Sequence, residues 1–296
     1  MKSPSLQIGS FTFDWGSRTY VMGILNVTPD SFSGDGIISK GDAVDFAVKQ
    51  AADFLENGAD ILDVGGESTR PGSAPVTADE EMERVIPVVD ALHTNFPNAI
   101  ISIDTYKANV AEAAIRAGAH IVNDVWGFRA DSEIAFVAAK YKAPVILMHN
   151  RSNPASVEVR EKLGGTYLGA EYDDLLEDVK RELLVSVGIA KKAAVQENVI
   201  LLDPGIGFGK TREHNLELIN RLGEIRELGY PILLGTSRKS FIGFTLDLPP
   251  DQRIEGTAAT VAVGITRGAD IIRVHDVKEM ARAAKMTDAM VRNPVG

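Results

Sequence analysis

A chain of 296 residues, 45% of them hydrophobic, has the length of two average domains or one large barrel and enough apolar sequence for a continuous core. It contains no cysteine, which excludes disulfides, thiolate metal ligands and a cysteine nucleophile and fits a reducing compartment. Its formal net charge of −10 argues against general nucleic-acid binding, although a local basic pocket for a small anion survives an acidic average.

The opening segment MKSPSLQIGSFTFDWGSRTY lacks the unbroken apolar stretch of a signal peptide, and no later run approaches the roughly 18 residues of a membrane span. A cytoplasmic protein with no membrane partner is therefore expected. Residues 6–20 read as a small hairpin. Next come eight short, β-rich apolar runs, most of them leading into a stretch of helical periodicity. VMGILN from Val21 precedes a helix over Asp42–Glu56, DILDVG from Asp60 one over Ala78–His93, and IISID from Ile100 one over Lys107–Ala117. IVND from Ile121 and VILM from Val145 come after these, the latter before a helix over Asp173–Ala190. VILLD from Val199 leads to His214–Leu228, PILLG from Pro231 to Glu255–Arg267, and IIRVH from Ile271 to the last helical stretch, VKEMARAAKMTDAM. Apolar strands alternating with amphipathic helices imply a parallel sheet covered by helices. Eight such units predict one domain over residues 1–296, an α/β (β/α)8 TIM barrel whose bottom is closed by the short N-terminal hairpin, with a doubly wound open sheet as the alternative.

The stretch VILLDPGIGFGKT, Val199 to Thr211, superficially suggests a nucleotide loop. That pattern requires glycine five places before the Gly of Gly-Lys-Thr, where this chain has Pro204. What remains is a carboxylate, Asp203, at the end of an apolar strand, with Pro-Gly turning the chain behind it. Other strands end in the same way: Asn26, the loop GESTRPGSAP, Asp104, Asn123 with Asp124, His149, the triplet Ser237-Arg238-Lys239, and Arg273 with His275. A single strand-end Asp or Asn commonly caps a helix or turns the chain. Eight strands ending in polar residues point instead to the carboxyl face where TIM-barrel enzymes keep their active sites. Asp104, Asn123, Asp203 and Lys239 suit a flat heterocycle with a ring N–H and an exocyclic amine. Asn26, Ser68, Thr69, Arg70, Arg273 and His275 form a second group suited to a polyanion, since arginine forks match phosphate oxygens.

GILNVTPDSFSGDG, DVGGESTRPGS, SIDTYKANVA, NDVWG, DPGIGFGKT, LLGTSRKSFIG and RVHDV, in this order and spread over nearly the whole chain, closely resemble the dihydropteroate synthase family. The resemblance implies condensation of 6-hydroxymethyl-7,8-dihydropterin diphosphate with 4-aminobenzoate, giving 7,8-dihydropteroate and pyrophosphate in folate biosynthesis. It implies that Asp203 and Asn123 grip the pterin, that Asp104 lies along its ring, that Lys239 meets its carbonyl side, and that Met148 and Phe208 pack near it. Asn26, Thr69, Arg70, Arg273 and His275 would hold the diphosphate, with Asn26 also binding Mg²⁺. Phe32, Pro71, Phe208, Lys239 and Ser240 would line the aminobenzoate pocket. Asp104, Asp203, Lys239 and Arg273 are the expected catalytic set. A cytoplasmic homodimer and sulfonamide sensitivity are further expectations of the family. Two departures from its pattern are the order Ser33-Gly34-Asp35-Gly36 in the first loop and Asn150 after His149. Two rival readings are a methyltetrahydrofolate-dependent corrinoid methyltransferase, which would not need the anion group, and a non-catalytic pterin-binding paralogue.

Overall fold

The computed structural model describes residues 5–28, 40–69, 72–153, 156–160 and 162–292. β1 (Leu6–Ile8) and β2 (Phe11–Phe13) form an antiparallel pair with Leu6 opposite Phe13. Then come β3 (Tyr20–Asn26), α1 (Lys40–Glu56), β4 (Ile61–Gly65), α2 (Ala78–Asn95), β5 (Ile100–Asp104), α3 (Ala108–Ala117), β6 (Ile121–Asp124), α4 (Ile134–Tyr141) and β7 (Val145–Met148). A second antiparallel pair, β8 (Val157–Arg160) and β9 (Gly164–Tyr167), precedes α5 (Leu175–Lys192). The chain continues through β10 (Ile200–Asp203), α6 (Arg212–Asn220), α7 (Leu222–Arg226), β11 (Leu233–Leu234), α8 (Ser240–Leu246), α9 (Ile254–Thr266), β12 (Ile271–Val274) and α10 (Val277–Val291).

Eight strands pair in parallel, each with its successor, in the order β3, β4, β5, β6, β7, β10, then β11 with β12 and β12 back to β3. Leu202 and Ile232 bridge the remaining seam, where Leu202 N–H donates to Pro231 O at 3.0 Å. The ring is thus a closed (β/α)8 barrel and not an open sheet. The apolar runs are continuous because both strand faces are buried, and strand periodicity sorts them. Leu62, Val64, Ile101, Ile103, Val122, Leu147 and Leu202 point outward into the core shared with the helices. Met22, Ile61, Ile100, Ile121, Ile146, Leu201, Leu233 and Ile271, one from each strand, form a separate inner cluster with Leu6, Ile8, Phe13, Trp15 and Tyr20. The N-terminal hairpin is therefore the plug of the barrel. Phe13 stacks on Trp15 with ring centroids 5.2 Å apart and meets the edge of Tyr20 at 4.8 Å. With this end sealed by apolar side chains, a polar site inside the barrel has to sit toward the other mouth.

Local signals set most helix ends within a residue or two. Thr77 starts α2 with a reciprocal cap: its hydroxyl accepts from Glu80 N–H at 3.2 Å, and the Glu80 carboxylate accepts from Thr77 N–H at 2.9 Å. Thr77→Ala removes one half of that exchange and is expected to lower unfolding free energy by about 1 kcal/mol. A urea midpoint equal to that of the parent protein would contradict it. The helices α4 and α8 were not among those expected, and two further features differ from the sequence expectation. The helix expected over His214–Leu228 starts earlier, at Arg212, because Thr211 caps it, and it is broken at Arg221, whose φ of −103° and ψ of 19° interrupt the hydrogen-bond ladder between α6 and α7. The β8–β9 pair stands where no element was expected, because its strands are short, partly polar and stabilised by distant contacts that no local pattern encodes.

Candidate active site

Two residues above the apolar floor, the inward-facing positions turn polar. Asp63 faces inward on β4 beside Ser102 of β5, Asp104 pairs in register with Asn123 of β6, and Asp203 pairs with Met148. Arg273, two places beyond Ile271, reaches into the same space. Its Nε donates to Asp63 Oδ2 at 2.6 Å and its Nη2 to Asp104 Oδ2 at 2.7 Å, while Asn123 Nδ2 donates to Asp63 Oδ2 at 3.2 Å. The Arg273 fork thus spans two carboxylates from neighbouring strands, and its Nη1 takes no part in either bond. Burial alone would lower the pKa of this guanidinium, but Asp63 and Asp104 outweigh it and hold the proton more firmly than usual. Asp104 is pushed up to about 7, first by burial and then by the Asp63 charge, with Arg273 opposing.

Asp203 owes its position to the turn behind it. Its Oδ1 accepts from Gly205 N–H at 2.7 Å, and Gly205 adopts a φ of +71° with the His149 carbonyl only 1.8 Å from where a Cβ would stand. Only glycine fits there. Lys210, 2% exposed, closes the loop from beneath: its Nζ donates to Gly205 O at 2.9 Å and Phe208 O at 3.1 Å and lies 2.9 Å from His149 Nδ1. The lysine of the Gly-Lys-Thr triplet is thus a buried clamp on loop carbonyls and not a phosphate ligand. Burial pushes it down to about 7, and burial plus the Lys210 charge push His149 down to about 3, so His149 is a neutral acceptor. On its far side, His149 Nε2 lies 3.1 Å from Glu182 Oε2. Glu182 also pairs with Arg151, which stacks on Tyr172 at 4.3 Å, while Asn150 donates to Val125 O at 3.0 Å. The residues after β7, including the family departure at Asn150, anchor α5 and the neighbouring loop.

The Ser237-Arg238-Lys239 triplet divides its work by direction. Ser237 Oγ lies 3.0 Å from His275 Nδ1, the exposed Arg238 turns outward to Asp276 with a φ of +56°, and Lys239 turns inward. Lys239 Nζ donates to Ile206 O and lies 4.8 Å from the centre of the Phe208 ring. Burial pushes it down to about 8, against the pull of Asp203. Burial raises the pKa of Asp203, against Lys239 and the Gly205 N–H. Two carboxyls raised by burial and a lysine lowered by it therefore face one another above the floor, a surface able to hold a flat polar ring by its edge.

The barrel brings Asp104, Asn123, Met148, Asp203, Lys239 and Arg273 to one mouth. Asn26 ends β3 beside Gly65, whose own neighbour is Asp104, with the Asp104 carboxylate 3.6 Å from the position of a Gly65 Cβ. Thr69 lies on the loop after β4, its carbonyl accepting from the Tyr167 hydroxyl at 3.2 Å. Ser240 is the first residue of α8. Phe32, Asp35, Arg70 and Pro71 lie outside the described residues, as does the whole Ser33-Gly34-Asp35-Gly36 segment. Arg273, expected on an anion rim, has its guanidinium bonded to Asp63 and Asp104. Asp124 accepts from Trp126 N–H at 2.7 Å and Phe128 N–H at 2.6 Å and so fastens its own loop. Asp63 is the residue that sequence reasoning overlooked. Its signal was a charge in the middle of a strand buried on both faces, where only a paired group survives. Among the described residues, no three His, Asp or Glu side chains gather in an arrangement that could hold a metal ion.

The sequence matches the model of the family described as pterin binding enzyme over residues 22–275. It is 54% identical over 288 residues to the dihydropteroate synthase of Clostridium beijerinckii, covering 97% of this chain and 100% of that one. It is 52% identical to that of Bacillus subtilis, covering 93% and 89%. Among solved structures, the dihydropteroate synthase of Clostridium difficile crystallised in the presence of pteroic acid superposes with a TM-score of 0.85 at 50% identity, covering 95% of this chain and 99% of that one. The Xanthomonas albilineans enzyme with 4-aminobenzoic acid gives 0.86 at 38% identity, with 98% of each chain covered.

Proposed function

We infer from the membership of this chain in the pterin binding enzyme family, and within it among the dihydropteroate synthases, how its side chains divide the work of that reaction. The enzyme is a transferase of folate synthesis. It joins 6-hydroxymethyl-7,8-dihydropterin diphosphate to 4-aminobenzoate and releases pyrophosphate. The ester C–O bond breaks, the arylamine nitrogen bonds to the methylene carbon, and an amine proton is lost.

Asp203 and Asn123 take the pterin's amine and ring N–H, Asp104 lies along the ring, Lys239 meets the carbonyl side, and Met148 and Phe208 pack near it. The observation that carries this assignment is the polar layer directly above the apolar floor, where Asp104, Asn123, Asp203 and Lys239 converge with Arg273. Asp63 joins this set as the residue that orients Asn123 and Arg273. Carboxylates beside the ring favour the positive charge that develops on the pterin as the ester bond weakens, so the contribution is electrostatic preorganisation and no side-chain nucleophile is required. Asn26, Thr69, Arg70 and His275 face the diphosphate, with Arg273 Nη1 at the boundary between the two halves. Phe32, Pro71, Phe208, Lys239 and Ser240 take the aminobenzoate.

Mg²⁺ fits this donor set: Asn26 offers one hard oxygen, and this ion ordinarily takes one or two protein oxygens together with substrate phosphates. When bound, it supplies charge neutralisation for the leaving diphosphate. The same reading makes the protein a cytoplasmic homodimer and a sulfonamide target. Exposed apolar residues on the last two helices, Val263, Met286 and Met290, support the dimer, and a Yersinia pestis dihydropteroate synthase solved with a sulfonamide drug, 40% identical, supports the last. No described helix is long and apolar enough to cross a membrane.

Purified protein given the pterin diphosphate, 4-aminobenzoate and Mg²⁺ is expected to form dihydropteroate and pyrophosphate in equal amounts. Loss of both products on chelation, restored by added Mg²⁺, supports the metal assignment, and unchanged turnover in chelator removes it.

A further inference from the structure

The β8–β9 pair falls outside the eightfold alternation of strand and helix, and it lies against the barrel mouth. Its tip is tied to α8 and the segment that follows it: the Arg160 guanidinium sits 4.7 Å from the centre of the Phe244 ring, Lys162 Nζ bonds Asp247 Oδ2 at 2.8 Å, and Leu163 O accepts from the buried Arg253 Nη2 at 2.8 Å. Its exit is tied to the loop after β10, where Ala170 N–H donates to Gly209 O at 3.0 Å. Between these anchors stands Tyr167. Its ring stacks on Phe208 with centroids 6.2 Å apart and planes inclined by 29°, and its hydroxyl donates to Thr69 O at 3.2 Å. Phe208 follows β10 and Thr69 follows β4. These strands are four places apart in a ring of eight, so a single tyrosine joins loops from opposite sides of the mouth.

We propose that Tyr167 is a positioning residue for the arylamine substrate, its hydroxyl tethering the Thr69 segment across the mouth while its ring backs Phe208, which makes the β8–β9 pair the outer wall of the 4-aminobenzoate subsite. This rests on the assignment of Phe208, and of Pro71 two residues beyond Thr69, to that end of the site. Asp104, Asn123 and Asp203 are held at strand ends and by the turn that Lys210 clamps, and none of the bonds described for them involves Tyr167. The hydroxyl tether therefore acts on the rim, where the arylamine and the diphosphate sit, and not on the grip of the heterocycle. A loop already fastened loses less conformational freedom when the arylamine binds, and that saving enters its affinity.

The experiment is steady-state kinetics of the full chain with Tyr167→Phe and Tyr167→Ala, varying each substrate in turn. Tyr167→Phe keeps the ring and removes one hydroxyl bond to a backbone carbonyl, so KM for 4-aminobenzoate is expected to rise about twofold to tenfold. kcat is expected to stay within twofold, and so is the affinity for the bare pterin, read by titration, because this variant keeps the ring behind Phe208. Tyr167→Ala also removes the support of Phe208 and is expected to raise the aminobenzoate KM further. A Tyr167→Phe enzyme identical to the parent, or one that loses affinity for the bare pterin as much as for 4-aminobenzoate, overturns the proposal. If Tyr167→Ala fails to fold, Tyr167→Phe decides alone, its thermal melt serving as the check on folding. A parent enzyme that forms no dihydropteroate defeats the functional assignment itself. An active parent with unaffected Tyr167→Phe defeats only the tether.

Discussion

Arg273→Ala is expected to destabilise the folded protein by about 3 kcal/mol or more at pH 8, because it strands two carboxylates that share one guanidinium. The Arg273 side chain is 21% exposed, Asp104 11% and Asp63 fully buried, so water replaces the lost partner poorly. The loss is expected to shrink at lower pH. The Asp104 carboxyl is already raised from 3.8 to about 7 in the folded protein, and removing Arg273 deletes the charge that most opposes that rise. An acid whose folded pKa lies above its unfolded one takes up a proton on folding. Its stabilising contribution is complete below the unfolded pKa and is lost as pH rises through the folded pKa. In the variant that window extends to higher pH, so protonation relieves the repulsion more fully at pH 5.5 than at pH 8. Urea unfolding of parent and variant at the two pH values measures the difference. A loss below 1 kcal/mol at both would show that the Asp63–Arg273–Asp104 bridge contributes little to stability. Arg273→Lys is expected to fall between, since one ammonium cannot span both acids as the fork does.

Asp203→Asn is expected to weaken pterin binding by about tenfold to over a hundredfold, which is 1.5–3 kcal/mol for losing a charge-assisted bond to the ligand's amine and ring N–H. Asparagine has nearly the same shape, and its Oδ1 can still accept from Gly205 N–H, so the loop held by Lys210 is expected to keep its form. The amide also turns an NH₂ group toward ligand donors, which adds repulsion to the lost attraction. Isothermal titration with the bare pterin separates this effect from diphosphate binding. Unchanged affinity in a variant that melts like the parent would remove Asp203 from the pterin site.

The amino-acid sequence determined the barrel through the spacing of its eight apolar runs, and it determined the site's chemistry through the polar residue types at their carboxyl ends. Both signals are local: strand and helix periodicity are written within a dozen residues, and Asp203-Pro204-Gly205 carries its own turn. Register and ring closure are not local, and they decided which polar side chains meet. Asp63 shares the inward face with Asp104 and Asn123, one step below them, only because β4, β5 and β6 pair without slippage. Arg273 reaches that face because β12 returns to β3, which brings the last strand within two positions of β4 and makes it the bridge between two acids. Lys210 could have faced a phosphate or the interior on sequence grounds. The close approach of Gly205 to His149 opened a buried space lined by loop carbonyls, and a lysine that satisfies those carbonyls there stabilises the turn. The path of β8–β9 toward Tyr167's partners was least legible of all, because its anchors on α8, Arg253, Gly209 and Thr69 lie up to 98 residues away in the chain, and only the folded barrel brings them together.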